Sequence, residues 1–106
     1  MYRDLDPIEV KQLLDRKNGT RLIDVREEWE NKIARIENSE LMPVSSFLSY
    51  IDKLKENDEL IVYCHKGIRR INVCMFLAGK GFNNLINLKG GIDAWSNEID
   101  RSLPRY

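Results

Sequence analysis

One cysteine in this sequence stands where a strand is expected to end and a loop to begin. The run Leu60-Ile61-Val62-Tyr63 is short and apolar, which is typical of a buried parallel strand. Cys64 follows it directly, and the loop then contains His65, Lys66, Gly67, Ile68, Arg69 and Arg70. A thiol that follows a strand and precedes a group of cations is a candidate nucleophile.

The loop leads into a segment with the apolar pattern of a helix. The spacing predicts an amphipathic helix from about Gly67 to Gly79, with an apolar face made of Ile71, Cys74, Met75 and Ala78. A helix start presents backbone N–H groups without intrahelical partners and carries partial positive charge, to which the loop cations add full charges. Both effects favour the thiolate over the thiol, so we expect Cys64 to lie in an anion-binding cradle.

Positive charge is concentrated around this cysteine. The chain is neutral overall, with 17 basic and 17 acidic residues, yet the stretch from Leu60 to Ile92 has five basic residues and no Asp or Glu. The rest of the chain therefore has 12 basic and 17 acidic residues, a balance of minus five. This segregation predicts a positive field at Cys64 and a small anionic partner.

A second strand is expected to end beside the first. The segment from Thr20 to Arg26 is a compact strand pattern with Asp24 and Arg26 at its carboxyl end, two residues apart and so on the same side. Ligands of open α/β sheets bind outside the carboxyl ends of the strands. We expect Asp24 and Arg26 to support the cysteine loop rather than to take part in the chemistry, and a plain ion pair at a strand end is the alternative.

The other elements alternate along the chain. Asp6-Pro7 begins a helix with a capping-box glutamate at position 9, and a helix is expected to start at Ser45 or Ser46. Between them, the region from Glu27 to Glu40 is the least regular, with Trp29 as its expected anchor. Short strands near residues 2–5 and 84–88 and a last helix after Gly90-Gly91 complete an α/β sandwich with a mainly parallel sheet.

Composition bounds the functional classes. A length of 106 residues suits a single domain over residues 1–106, and without an apolar run or signal core we expect a cytoplasmic protein that does not engage a membrane. The absence of a long basic run argues against nucleic-acid binding. Cys74 falls well inside a helix and is expected to pack in the core, while two cysteines and one histidine give no credible metal spacing.

Four motifs together resemble the single-domain rhodaneses, a family of sulfurtransferases. They are Leu22-Ile23-Asp24-Val25-Arg26 with Glu27 and Glu30, Val62-Tyr63-Cys64, the loop Cys64-x-x-Gly67-x-Arg69, and Gly90-Gly91-x-x-Ala94-Trp95. They occur in the order and spacing of the family and span most of the chain. The resemblance implies a rhodanese-like three-layer sandwich, with about five short, mainly parallel strands flanked by helices.

The same resemblance implies a reaction. Cys64 would take the outer sulfur from an anionic donor such as thiosulfate or a persulfide, and a thiol or cyanide would then accept it. Arg69 would act with Cys64 in catalysis, and the donor would be bound by the loop residues His65, Lys66, Gly67, Ile68 and Arg70. No cofactor and no metal is implied, and a protein could serve as donor or acceptor. The anionic sulfur of both steps suits the predicted cradle.

The sequence departs from the family at two places and leaves two alternatives open. The segment from Lys32 to Glu40 lacks the usual Gly-His-Ile and Gly-Ala elements, and Arg70 replaces a small residue. Because five residues separate Cys64 from Arg70, the loop also matches the Cys-x5-Arg pattern of cysteine phosphatases and related arsenate reductases, although Tyr63 replaces their usual histidine. The other alternative is a binding module or a sulfur carrier that is loaded without multiple turnover.

Overall fold

A five-stranded parallel sheet forms the centre of the structure. The computed structural model describes residues 2–65 and 69–106, and only the backbone of residues 69 and 70. The strands are β1 (Tyr2–Leu5), β2 (Arg21–Asp24), β3 (Glu40–Leu41), β4 (Leu60–Tyr63) and β5 (Leu85–Leu88). They are arranged in the order β1-β5-β4-β2-β3, and the pairings between them are parallel. The predicted α/β architecture is confirmed, and β4, which precedes Cys64, is the central strand.

Helices cover both faces of this sheet. They are α1 (Pro7–Asp15), α2 (Glu28–Ile33), α3 (Arg69–Gly79) and α4 (Gly91–Glu98). Successive residues of a strand point to opposite faces, and the two cores follow that alternation. One core joins Leu60, Val62 and Cys64 to Val73, Cys74 and Leu77 of α3. The other joins Ile61 and Tyr63 to Val10 of α1 and Trp95 of α4.

The first helix begins as the sequence predicts. The backbone N–H of Glu9 donates to Asp6 Oδ1 at 2.9 Å, and the backbone N–H of Asp6 donates to Glu9 Oε1 at 3.1 Å. Pro7 occupies the start of the helix, where a missing N–H leaves no helical hydrogen bond unmade. This reciprocal cap fixes the chain direction between β1 and α1.

The region between Glu27 and Glu40 is more regular than predicted. It contains α2, in which the backbone N–H of Glu27 donates to Glu30 Oε1 at 3.0 Å. Trp29 does not anchor this region, because its side chain is 60% exposed. The buried residues are instead Glu30, Ala34 and Ile36. The anchor prediction was wrong because Trp29 lies on the outer side of a helix whose inward side is made by Glu30.

The helix expected from Ser45 or Ser46 is also different. Two short 3-10 helices, Val44–Ser49 and Ile51–Lys53, follow Pro43 in place of one α-helix. Ser46 breaks the first with φ and ψ of −131° and 26°, and the Ser49 hydroxyl donates to the Ser46 carbonyl at 2.7 Å. Serine side chains compete for backbone groups in this way, which disfavours a regular helix. Phe47 is nonetheless buried, as expected of a core aromatic.

Candidate functional site

Cys64 lies at the carboxyl end of the central strand, at the position that the sequence predicts. Its side chain has no solvent exposure and packs in the core on the α3 face of the sheet. Cys74 of α3 belongs to the same core and is also fully buried, which confirms its packing role. Both are thiols.

The start of α4 holds the backbone on either side of this thiol. The N–H of Ile92 donates to the carbonyl of Cys64 at 2.9 Å, and the N–H of Asp93 donates to the carbonyl of His65 at 3.1 Å. These donors belong to the first turn of a helix, where N–H groups have no intrahelical acceptor. The peptide groups of Cys64 and His65 are therefore fixed by α4 as well as by β4.

Gly91 is required for this contact. Its φ is 62°, in the left-handed region, and a Cβ atom at this position would collide with the carbonyl oxygens of both Cys64 and His65. The sequence predicts either a tight turn or a close backbone approach at the paired glycines. The structure has both, because Gly90 also adopts a positive φ of 79° and caps the helix.

A buried ion pair lies at the end of the neighbouring strand. Arg26 and Asp24 have side chains with no exposure, and Arg26 Nη2 donates to Asp24 Oδ2 at 2.7 Å. The guanidinium makes five hydrogen bonds in all, to both Asp24 oxygens, the carbonyls of Glu30 and Ala34, and the Tyr106 hydroxyl. Five acceptors match the five N–H donors of an arginine. Arg26 is therefore fully engaged within the protein.

The electrostatic balance of Arg26 follows from these contacts. Burial alone lowers the pKa of the guanidinium, but the hydrogen bonds to Asp24 and Tyr106 and the charge of Asp24 together raise that pKa above its ordinary value. The side chain therefore stays cationic within the fold. A charge that is buried and completely paired stabilises a particular arrangement of its neighbours, whereas removal of one partner leaves the other buried alone.

Tyr63 connects the ion pair to the strand that precedes Cys64. Its hydroxyl donates to Asp24 Oδ2 at 3.1 Å and accepts from the backbone N–H of Ile36 at 3.2 Å, with Ser39 Oγ at 3.0 Å. Burial raises the pKa of Tyr63 to about 12, with a smaller contribution from the charge of Asp24. The hydroxyl therefore stays protonated as a hydrogen-bond donor over the ordinary pH range.

Tyr106 completes the cluster from the far end of the sequence. Its hydroxyl accepts from Arg26 Nη1 at 2.8 Å and donates to Glu30 Oε2 at 2.9 Å. Its ring stacks on the His65 imidazole with centroids 4.0 Å apart and planes 12° from parallel. Burial raises the pKa of Tyr106 to about 12, so this hydroxyl also remains protonated.

The alternation of side chains along β4 separates this cluster from the sulfur. Cys64 points to the α3 face, whereas Tyr63 packs in the core on the opposite face. Asp24 bonds to Tyr63, and Tyr106 packs against that same opposite core and stacks on His65. The cluster therefore contacts the two neighbours of Cys64 in the sequence and holds them from the other side of the sheet.

Only some of the predicted site residues belong to the part of the chain that the structure describes. Tyr63, the residue before Cys64, bonds to Asp24, and Tyr106 bonds to Arg26 and stacks on His65. A supporting role for Asp24 and Arg26 stays a prediction. Arg69 and Arg70 begin α3 with their backbone, and their side chains lie outside the described residues. The predictions for Lys66, Gly67 and Ile68 also fall outside the described residues.

Sequence reasoning missed three members of the cluster. The sequence assigns Tyr63 to the strand and motif before the cysteine, where it also replaces the histidine of cysteine phosphatases, and it assigns Glu30 only to a motif, so neither is predicted to join Arg26 and Asp24. The capping relation between Glu27 and Glu30 is a local signal that could have revealed α2 and the inward position of Glu30. Tyr106 gives no such signal, because its partners lie 76 and 80 residues away in the sequence.

An apolar groove of about 340 Å³ lies near the start of α3 but does not include Cys64. It is formed between the first 3-10 helix and α3, with Val44, Phe47, Leu48, Val73 and Phe76 among its lining residues. Its apolar lining does not suit a small anion.

Within residues 2–65 and 69–106, no helix is long and apolar enough to cross a membrane.

Comparison with known proteins agrees with this fold. A family model described as Rhodanese-like domain matches residues 6–98, and the chain therefore belongs to the rhodanese-like domain family. A crystal structure of a rhodanese-like domain protein from Staphylococcus aureus superposes with a TM-score of 0.84, at 24% sequence identity, over 98% of each chain. The resemblance to the rhodaneses and the rhodanese-like fold are both confirmed.

Curated relatives include proteins named as sulfurtransferases. The chain is 30% identical over 104 residues to a probable adenylyltransferase/sulfurtransferase MoeZ of Mycobacterium tuberculosis, of which it spans 26%, while the match covers 96% of this chain. It is 25% identical over 96 residues to a sulfurtransferase of Allochromatium vinosum, with 91% of this chain and 90% of the relative covered. A third relative, 32% identical, is a tRNA uridine(34) hydroxylase of Cytophaga hutchinsonii, of which the chain spans 30%. The two relatives named as sulfurtransferases support membership of the sulfurtransferase family.

Proposed function

We propose that this protein transfers a sulfane sulfur from a small anionic donor to a thiol or cyanide through a persulfide of Cys64. The observation that carries the proposal is the position of Cys64 at the carboxyl end of the central strand, with its carbonyl bound by the first turn of α4. Ligands of parallel α/β sheets bind at this edge. The relatives named as sulfurtransferases support the same chemistry.

The proposed first step forms the persulfide. The Cys64 thiolate attacks the outer sulfur of thiosulfate, a new S–S bond forms, and the S–S bond of the donor breaks with its electron pair leaving on sulfite. Negative charge is spread over three sulfur atoms as this happens, so nearby donors and cations lower the barrier. In the proposal Arg69 supplies charge to this transition state, and His65, Lys66, Gly67, Ile68 and Arg70 form the donor site.

The proposed second step regenerates the Cys64 thiolate. An acceptor thiolate or cyanide attacks the outer sulfur of the persulfide, and Cys64 leaves as a thiolate. The products are then the acceptor persulfide or thiocyanate. Neither step needs an external oxidant, a metal or a cofactor, because the oxidation level of the transferred sulfur is supplied by the donor.

The same proposal includes a cytoplasmic setting, where thiols are abundant. It also includes a single domain over residues 1–106.

The burial of Cys64 bears on the choice of donor. A sulfur atom with no solvent exposure reacts only after the atoms that cover it have moved, and a smaller reactant requires less movement. We therefore propose thiosulfate or a small persulfide as the donor rather than a bulky one.

A second candidate function is that of a sulfur carrier within a larger assembly. Two observations favour it. The covered Cys64 would protect a persulfide between transfers, and the chain corresponds to only 26% of the length of the MoeZ relative. In this case the protein would be loaded once and would hand its sulfur to a protein acceptor.

A turnover assay separates these functions from the phosphatase alternative. Wild-type protein is mixed with thiosulfate and cyanide, and thiocyanate is measured over time, with Cys64→Ala as the inactive variant and Cys74→Ala as the matched control. The proposal predicts many turnovers in wild type and Cys74→Ala and none in Cys64→Ala. Loading limited to one sulfur per chain would favour the carrier, and hydrolysis of para-nitrophenyl phosphate without sulfur transfer would favour the phosphatase.

A further inference from the structure

We propose that Tyr106 is a positioning residue for the cysteine loop, which it holds by stacking on His65. The inference rests on the proposed function, because it assigns a role within the same reaction. Tyr106 lies on the opposite side of the sheet from the Cys64 side chain and does not take part in the chemistry itself. It acts through the backbone that Cys64 and His65 share.

The His65 ring stacks on the ring of Tyr106. The imidazole and the phenol ring are nearly parallel, with centroids 4.0 Å apart. His65 Nε2 is buried and has no hydrogen-bond partner among the described residues. A ring that is held by stacking and not by a hydrogen bond at this nitrogen depends on its aromatic partner for its orientation.

Tyr106 is itself fixed from several directions. Its hydroxyl is hydrogen-bonded to Arg26 and Glu30, and the edge of its ring meets Trp29 at a centroid distance of 6.2 Å and an angle of 72°. The Arg26 guanidinium carbon also lies 5.8 Å from the centre of the ring. These contacts give the ring one position, which makes it a rigid support for His65.

The support is transmitted to the sulfur through a short stretch of backbone. The His65 carbonyl accepts from Asp93, and the Cys64 carbonyl accepts from Ile92, so α4 holds the main chain while Tyr106 holds the side chain that follows Cys64. Arg105, the residue before Tyr106, also donates to Asp93 Oδ1 at 2.9 Å. The end of the sequence and α4 thus enclose the beginning of the loop from two sides.

The test uses variants that separate the ring from the hydroxyl. Tyr106→Leu removes the stack and the hydroxyl, and Tyr106→Phe removes only the hydroxyl. Tyr50→Leu is the matched control at a tyrosine whose ring centre lies 5.3 Å from Lys53 Nζ. For each protein we would measure the single-turnover rate of sulfur loading from thiosulfate by intact mass. The rate of Cys64 alkylation by iodoacetamide would be followed by peptide mapping.

We expect Tyr106→Leu to change the two rates in opposite directions. Loading slows by about two- to tenfold, the loss that corresponds to one aromatic contact in the transition state. Alkylation becomes faster, because the loosened backbone exposes a buried sulfur to a neutral reagent. Tyr106→Phe is expected to lie closer to wild type than Tyr106→Leu in both rates, and Tyr50→Leu to match wild type.

A double-mutant cycle decides whether the effect passes through His65. In a His65→Ala background the Tyr106→Leu change is expected to have little further effect on either rate, since coupled residues are not additive. Because His65 is the only histidine in the sequence, its imidazole NMR signals report directly on the stack and are expected to move when Tyr106 is replaced by Leu. Additive effects, or a loading rate unchanged by Tyr106→Leu, would overturn the inference while leaving the proposed function intact.

Failure of the proposed function gives a different pattern. If wild type takes up no sulfur, the proposed function is wrong, and the positioning role is then decided by alkylation alone. A faster alkylation in Tyr106→Leu that disappears in the His65→Ala background supports the role. An alkylation rate equal to wild type overturns it.

Discussion

Replacement of Arg26 by Met is the most direct test of the buried network around Asp24 and Arg26. The change keeps an unbranched side chain but removes the charge and five hydrogen bonds. Asp24 is then left as a buried carboxylate without its cation, and the carbonyls of Glu30 and Ala34 lose a donor. Removal of one partner from a buried ion pair is strongly destabilising, because the remaining charge stays out of water.

The size of the effect follows from this burial. Both side chains of the pair have no exposure, so the loss is expected to reach about 3–5 kcal/mol in the free energy of unfolding. A domain of this size loses roughly 4–8 °C of melting temperature per kcal/mol. The melting temperature of Arg26→Met should therefore fall by about 12 °C or more.

The assay is urea denaturation followed by circular dichroism, with two controls. Arg3→Met makes the same substitution at an arginine whose side chain is 59% exposed and 3.9 Å from its carboxylate partner, and it is expected to lose about 0.5 kcal/mol or less. The double variant Asp24→Leu with Arg26→Met removes both charges, and it is expected to be more stable than Arg26→Met alone. If Arg26→Met is no less stable than Arg3→Met, the reasoning about the buried pair is refuted.

Three further predictions follow from other contacts. Gly91→Ala is expected to lower the free energy of unfolding by at least about 1–2 kcal/mol, because a Cβ is strained at the positive φ and collides with the Cys64 carbonyl. A stability equal to wild type in urea denaturation would contradict the close approach. Tyr63→Phe is expected to lose about 1–3 kcal/mol by leaving its buried hydrogen-bond partners unsatisfied, again measured in urea, and a neutral result would argue against that network. The hydrogen bond from Arg21 holds the pKa of Glu40 below its ordinary value of 4.5. This pair therefore stabilises the fold above that pH, and the contribution is lost as the pH falls through the lowered pKa. Arg21→Met should flatten the dependence of stability on pH below about pH 4.5, and an unchanged acid profile would show that the pair does not contribute.

Parallel-strand geometry made part of the site predictable. Asp24 and Cys64 each follow or end an apolar run, and the carboxyl ends of parallel strands meet at one edge of a sheet. The pairing of Asp24 with Tyr63 across β2 and β4 is the register that this argument requires. The parallel α/β architecture and the position of the cysteine could therefore be inferred from short-range patterns, whereas the rhodanese-like sandwich was implied by the resemblance.

The buried network could not be predicted in the same way. The contact of Arg26 with Tyr106 spans 80 residues, and its geometry depends on how α2 and the last residues pack against the sheet. No local spacing encodes such packing. The two 3-10 helices after Pro43 were missed for a local reason, since the hydrogen bonding of the serines there competes with a regular helix.

The segment that departs from the family pattern has a definite place in this network. Within it, the Ala34 carbonyl accepts from Arg26, and the Ile36 N–H donates to Tyr63. Asn38 adopts a positive φ of 67°, a conformation that asparagine tolerates better than most residues. The segment lacks the glycines and the histidine of the family pattern, and its backbone is hydrogen-bonded to Arg26 and Tyr63.

The burial of Cys64 has the largest consequence for function. The structure places the side chain of Cys64 in the α3-facing core without exposure. A sulfur atom without exposure can react only after the atoms that cover it have moved, and this is the reason for proposing a small donor. The network of Asp24, Arg26, Tyr63 and Tyr106 lies on the opposite face, where it includes the residue before Cys64 and stacks on the residue after it.

The central claim is that Cys64 carries the transferred sulfur, and intact mass after donor treatment tests it most directly. Wild-type protein incubated with thiosulfate and desalted should gain the mass of one sulfur atom, which peptide mapping should locate on Cys64 and a reducing thiol should remove. Cys74→Ala should behave as wild type. A wild-type mass that stays unchanged, or an added sulfur that persists in Cys64→Ala, would contradict the account.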